Sequence, residues 1–146
     1  MAYHLPRYKV TLVREGSYGA NHNITRSAED VHALMSAEFA EVAVESVKML
    51  ALDTKNKVIG VFDVSSGSLS ASIVHPRDIF QRAILSKAAS VIIVHNHPSG
   101  DPAPSPEDVA LTTRLAEAGK IFDIPVLDHI VIGEGQYTSL KEKGLV

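Results

Sequence analysis

No cysteine occurs anywhere in the 146 residues. That absence excludes a disulfide scaffold, a thiolate-bound zinc knuckle and a thiol nucleophile. An excess of positive charge is missing too: 14 Lys and Arg stand against 17 Asp and Glu, for a formal net charge of −3. Such a balance offers no electrostatic footprint for nucleic-acid phosphates, so direct nucleic-acid binding is not expected beyond what a local basic patch could support. Neither a bilayer-spanning apolar run nor the apolar stretch of a secretory signal is present, the chain opening Met1-Ala-Tyr-His-Leu-Pro-Arg-Tyr8. A cytoplasmic location with no membrane partner is the expectation. What the chain does have is 45% hydrophobic residues, enough for one globular domain with a real core.

Local patterns divide the chain into short elements. Tyr8–Val13 alternates as a strand, and Ser27-Ala-Glu-Asp30 resembles a capping box opening a helix that runs to about Glu45. Val47–Asp53 and Val58–Val64 read as a hairpin turned by Thr54–Lys57, with a turn at Ser65–Ser68 and a third strand over Leu69–Val74. Pro76 opens a helix whose apolar face holds Ile79, Phe80, Ala83, Ile84 and Ala88. Ser90–Val94 is a buried strand, Pro106 to about Phe122 a helix carrying Val109, Leu111, Leu115 and Ala116, Pro125–Ile132 a strand, and Gln136–Thr138 a last short one. Strands mixed with crossover helices predict a single α/β domain with a mixed β-sheet flanked by helices.

The strand at 90–94 runs into His95-Asn96-His97-Pro98. Side chains two apart on a strand share a face, roughly 6 to 7 Å apart along it, so two imidazoles can close on one metal ion. Asp108 offers a carboxylate from the start of the next helix. Two histidines, one carboxylate and an open position suit a hydrolytic zinc site. The same residues also have a purely structural reading, because Ser105 at the N-cap, Pro106 at N1 and an acid at N3 start a helix without any metal. The readings are compatible, since a rigid helix start aims both side chains at the preceding strand end.

His95-x-His97-Pro98, then Ser105 after six residues and Asp108 after two more, resembles the JAMM signature of MPN-domain metalloproteins at every specified position. The surrounding His95-Asn-His-Pro-Ser-Gly-Asp101 and Val126-Leu-Asp-His129 are similar to the RadC branch of that family. The resemblance covers about residues 40–146, leaving 1–39 as an N-terminal strand and helix extension. It implies the MPN, cytidine-deaminase-like architecture, and the chain resembles the short members that lack an N-terminal helix-hairpin-helix region. It further implies one Zn2+ ion held by His95, His97 and Asp108, with water as the fourth ligand in active members. Ser105 would then steady the developing oxyanion, and an upstream glutamate would move the water's proton. Glu45, just ahead of a hydrophobic strand as in the family's first hairpin, is the candidate base, with Glu41 one helical turn earlier as its competitor.

The activity so implied is zinc-dependent cleavage of a peptide or isopeptide bond in a protein substrate. The alternatives are a non-catalytic MPN-type binding module and a DNA-repair or mobile-element accessory protein, the last suggested only by the customary RadC name. Lesser candidates are Asp128 or His129, of which one can approach the site from a strand, and Asp101 in the loop beside it. His75 reads as a helix start, while His4, His22 and His32 lack partner spacing. Three other zinc-enzyme readings fail on pattern. The ββα-metal context of HNH nucleases is not evident, deaminases need Pro-Cys-x-x-Cys, and zincins need His-Glu-x-x-His.

Overall fold

The computed structural model describes residues 1–40, 42–67 and 74–146. Helix α1 (Ala28–Phe39) begins where Ser27 accepts a hydrogen bond from the Asp30 N–H. Strands β1 (Glu45–Leu52) and β2 (Val58–Gly67) form an antiparallel hairpin. Its turn is closed by the Asp53 carboxylate, which accepts from the N–H groups of Lys55 and Lys57 at 2.8 and 3.0 Å. Helix α2 (Pro76–Leu85), strand β3 (Ser90–Asn96), helix α3 (Pro106–Phe122), strand β4 (Val126–Ile132) and the short β5 (Tyr137–Ser139) follow.

The strands make one five-stranded sheet in the order β2-β1-β3-β4-β5. β3 and β4 run parallel with α3 as their crossover, and the other neighbours are antiparallel. This is the mixed α/β sheet that the alternation of strand and helix patterns predicts. Strand alternation sorts the side chains onto two faces. Leu50, Leu52, Ile92, Val94, Ile130 and Ile132 meet Val31, Met35 and Phe39 of α1. On the opposite face, Met49, Ala51, Val91, Ile93 and Val126 pack with Ile79, Phe80 and Leu115 from α2 and α3. β3 lies between β1 and β4 and is buried along its whole length, which accounts for its unbroken apolar run. α3 approaches the chain that follows it so closely that a Cβ on Gly119 would sit 2.6 Å from the Ile124 carbonyl oxygen. Among the described residues, no helix is long and apolar enough to cross a membrane.

Several local expectations are corrected. Tyr8–Val13 forms no strand; Tyr8 and Val10 lie exposed, and among the described residues the segment has no neighbouring strand to supply hydrogen bonds. α1 stops at Phe39 rather than near Glu45, because residues from Glu45 onward are claimed as β1 by ladders to β2 and β3. The turn expected at Ser65–Ser68 is instead strand through Gly67, since β2 keeps pairing with β1 as far as Glu45. The strand expected over Leu69–Val74 falls on residues 69–73 outside the described ones, and Val74 itself belongs to no strand. Ile84 is exposed on α2, so the apolar stripe of that helix is narrower than its spacing implies.

Candidate metal centre

The polar cluster is assembled by the register of β1 on β3 and by the start of α3. Val47 pairs with His95, so Glu45, two residues earlier, lies on the same face and further toward the end of the sheet where His97 follows β3. From the other side comes the first turn of α3. There the Ser105 hydroxyl accepts from the Asp108 N–H at 3.1 Å, and Asp108 Oδ2 accepts from the Ser105 N–H at 2.8 Å. This reciprocal capping locks the Asp108 rotamer. Pro106 at N1 removes a backbone donor that the helix start would leave unpaired.

As a result, Glu45, His95, His97 and Asp108 each offer a ligand atom, and these atoms all lie within 4.8 Å of one another. His95 Nε2 is 3.3 Å from Asp108 Oδ1 and 3.7 Å from Glu45 Oε1, while His97 Nε2 is 3.2 Å from Asp108 Oδ2. The two Nε2 atoms are 3.0 Å apart. Among the described residues, the ion-pair partners of Glu45 and Asp108 are these histidines and no Lys or Arg. Two carboxylates and two imidazoles with no basic side chain among them form a donor set that fits a divalent cation, and the cluster could bind a metal ion.

The electrostatics agree. Burial pushes the Asp108 carboxyl upward, but its contacts with the His95 and His97 rings prevail and hold it well below the usual carboxylate range. The hydrogen bond to Asp108 raises His97 above its ordinary value against the opposing effect of burial. Positive charge is favoured here in either form, as a proton or as a metal.

Ser105 stands at the N-cap with its hydroxyl oxygen engaged by the Asp108 N–H, which leaves the hydroxyl hydrogen free to donate. The Asp101 side chain is turned away, capping the Ala103 N–H, but its carbonyl lies 2.9 Å from His97 Nδ1. Gly100, just ahead of it, takes φ +89°, a conformation that favours glycine. Of Asp128 and His129, it is His129 that approaches the cluster, with its Nε2 2.6 Å from His95 Nδ1. Asp128 instead accepts from Ser139 and from the Lys141 N–H, tying down the C-terminal segment. Glu41 lies outside the described residues.

Two further residues carry no signal in the motif. Thr112, one turn along α3 from Asp108, touches His129 Nδ1 at 2.6 Å. Asn96, between the two histidines but on the other face, accepts from the Ser46 N–H at 2.7 Å and donates to the Val44 carbonyl at 3.0 Å. It therefore holds the chain on both sides of Glu45. A polar residue inside a buried strand must find partners, and that was the available clue. Beside His97 opens a cavity of about 470 Å³, lined by Phe39, Val42, Asn96, Pro98 and Glu134 among others.

Residues 25–145 match the RadC-like JAB domain. The chain belongs to that family. The matched span includes α1 and every element after it. Among curated relatives of this RadC-like JAB domain is a UPF0758 protein of Methanococcoides burtonii, 54% identical over 121 residues that make up 83% of this chain and 53% of the relative. A UPF0758 protein of Caldanaerobacter subterraneus subsp. tengcongensis is 53% identical over 126 residues, 86% of this chain and 54% of its own. One of Moorella thermoacetica is 45% identical over 133 residues, with 91% and 58% covered. The chain thus spans about half the length of the curated relatives it matches.

Proposed function

We propose that this RadC-like JAB domain is a zinc-dependent hydrolase that cleaves a peptide or isopeptide bond in a protein substrate. The observation that carries the reading is the meeting of Glu45 with His95, His97 and Asp108 around one point. His95, His97 and Asp108 would hold the ion. Two imidazoles with carboxylate oxygens suit zinc, and zinc, when bound, would lower the pKa of its water toward neutrality. Glu45 accepts the proton of the attacking water and returns it to the leaving nitrogen, so that the amine departs neutral. The Ser105 hydroxyl hydrogen donates to the oxygen on which negative charge develops.

The test is to purify the protein and its Glu45→Gln variant with one equivalent of zinc, then follow cleavage of peptide- and isopeptide-linked substrates. The variant is expected to keep zinc and to lose turnover by at least the 10²- to 10⁴-fold typical of a missing general base. Equal turnover would overturn the assignment. Loss of zinc together with turnover would make Glu45 a ligand instead of a base.

A further inference from the structure

The buried side of the centre contains a chain of three side chains whose hydrogen-bonding roles can be worked out in sequence. Thr112 Oγ1 donates its single hydrogen to the Asp108 carbonyl one turn back in α3, at 2.8 Å. That carbonyl can only accept, so toward His129 Nδ1, at 2.6 Å, the Thr112 oxygen has only a lone pair to offer. His129 Nδ1 must therefore carry a hydrogen. A His129 ring whose hydrogen sits on Nδ1 presents Nε2 as a bare acceptor. His95 Nδ1, 2.6 Å from that Nε2, must in turn be the donor. His95 Nε2 is left without a hydrogen, facing Glu45 and Asp108.

We propose that Thr112 and His129 are positioning residues that hold His95 in the Nδ1–H tautomer and so keep its Nε2 lone pair facing the metal centre. The proposal rests on reading the cluster as a metal site. On the outer side, the Asp101 carbonyl does the same for His97 by accepting from its Nδ1, at 2.9 Å. With both rings neutral, two bare nitrogens confront each other at 3.0 Å, an arrangement that repels unless a cation or a proton lies between them. Ligating histidines usually give their second N–H to a carboxylate, a carbonyl or water. Here His95 gives it to another imidazole, whose own direction is set by a hydroxyl on the helix that also supplies Asp108. A shift of α3 would therefore disturb the Asp108 carboxylate and the His95 tautomer together.

The experiment measures ring ¹⁵N shifts in the metal-free protein at neutral pH, together with zinc affinity by chelator competition. The unaltered protein is expected to show His95 and His129 as Nδ1–H tautomers. Thr112→Val keeps the side-chain shape but removes the oxygen. It should raise the Nε2–H population of both rings and weaken zinc on the order of 10- to 100-fold, while Thr112→Ser should restore both. An Nε2–H tautomer at His95 in the unaltered protein overturns the proposal, and so does Thr112→Val with altered tautomers and unchanged affinity. If Thr112→Val does not fold, the unaltered protein still decides the point. Expected tautomers with no zinc uptake would overturn the metal centre and leave the relay standing; the wrong tautomer with zinc bound would do the reverse.

Discussion

The two faces of the sheet are built on different principles. Under α1 an apolar layer of Val31, Met35 and Phe39 covers Leu50, Ile92, Val94 and Ile130, and the buried polar groups of that face pair off with one another, Asn96 with Ser46 and Asp128 with Ser139. Under α2 and α3 the apolar layer of Met49, Ile93 and Leu115 gives way, at one end of the same strands, to Glu45, His95, His129, Thr112 and Asp108. His95 and His129 are 2% and 1% exposed, and the buried polar groups at this end converge on one cluster instead of pairing off as those of the α1 face do. The lesson is a division of labour. The packing of both faces holds the strands in register, and one end of the α2 and α3 face uses that register to keep polar groups where they would not gather unaided.

The sharpest way to break the comparison is on the α1 face. Leu50→Ala should cost about 2–5 kcal/mol in urea unfolding, with zinc stoichiometry unchanged in the folded fraction. Loss of zinc from the folded variant would show that the faces are not separable. The next effect concerns pH in the metal-free protein. Burial pushes the His129 imidazole down to about 3 from its usual value near 6.5. Below pH 6.5 the unfolded chain binds a proton there that the folded chain refuses. Its contribution is therefore intact above that pH and is lost progressively as pH falls toward 3. His97 has the opposite sign: raised by Asp108, it contributes fully below 6.5 and fades as pH climbs through its raised folded value. Unfolding midpoints against pH should thus fall less steeply on the acid side in His129→Gln than in the unaltered protein; parallel curves would remove His129 from the account.

A smaller effect is expected at Asn96. Asn96→Ala strands the buried Ser46 N–H at about 1–3 kcal/mol and frees the segment around Glu45. Hydrogen exchange at Ser46 should accelerate while zinc affinity stays within about threefold, well short of the tenfold that a lost partner of a ligand costs. The smallest concerns the edge of the sheet, where Lys48 pairs with Asp63, itself 67% exposed. Asp63→Asn should change stability by less than about 1 kcal/mol and leave the centre untouched.

Much of this was legible in the chain. The hairpin, the buried run of β3 and the capped start of α3 each follow from spacing within a dozen or so residues. The Ser105–Asp108 pair reads correctly as a helix start because both partners of the capping box are local. Legibility failed where the deciding partner is distant. Tyr8–Val13 has the alternation of a strand and, among the described residues, no neighbour to pair with, whereas residues beyond Glu45 are strand because β2 and β3 lie on either side. Thr112 and Asn96 gave no motif signal, since the meaning of each depends on one atom of a residue far along the chain, His129 or Ser46.

By itself, then, the sequence determined the donor types at the centre and much of their local placement, His95 near the end of β3 and His97 just beyond it, with Asp108 aimed by its own helix cap. Only the tertiary structure decided that Glu45 joins them, because the antiparallel register of β1 on β3 is set by the packing of both sheet faces rather than by residues near Glu45. The tautomer of His95 is likewise a tertiary matter. A neutral imidazole can carry its hydrogen on either nitrogen, and the choice falls to whichever acceptor the fold sets against it.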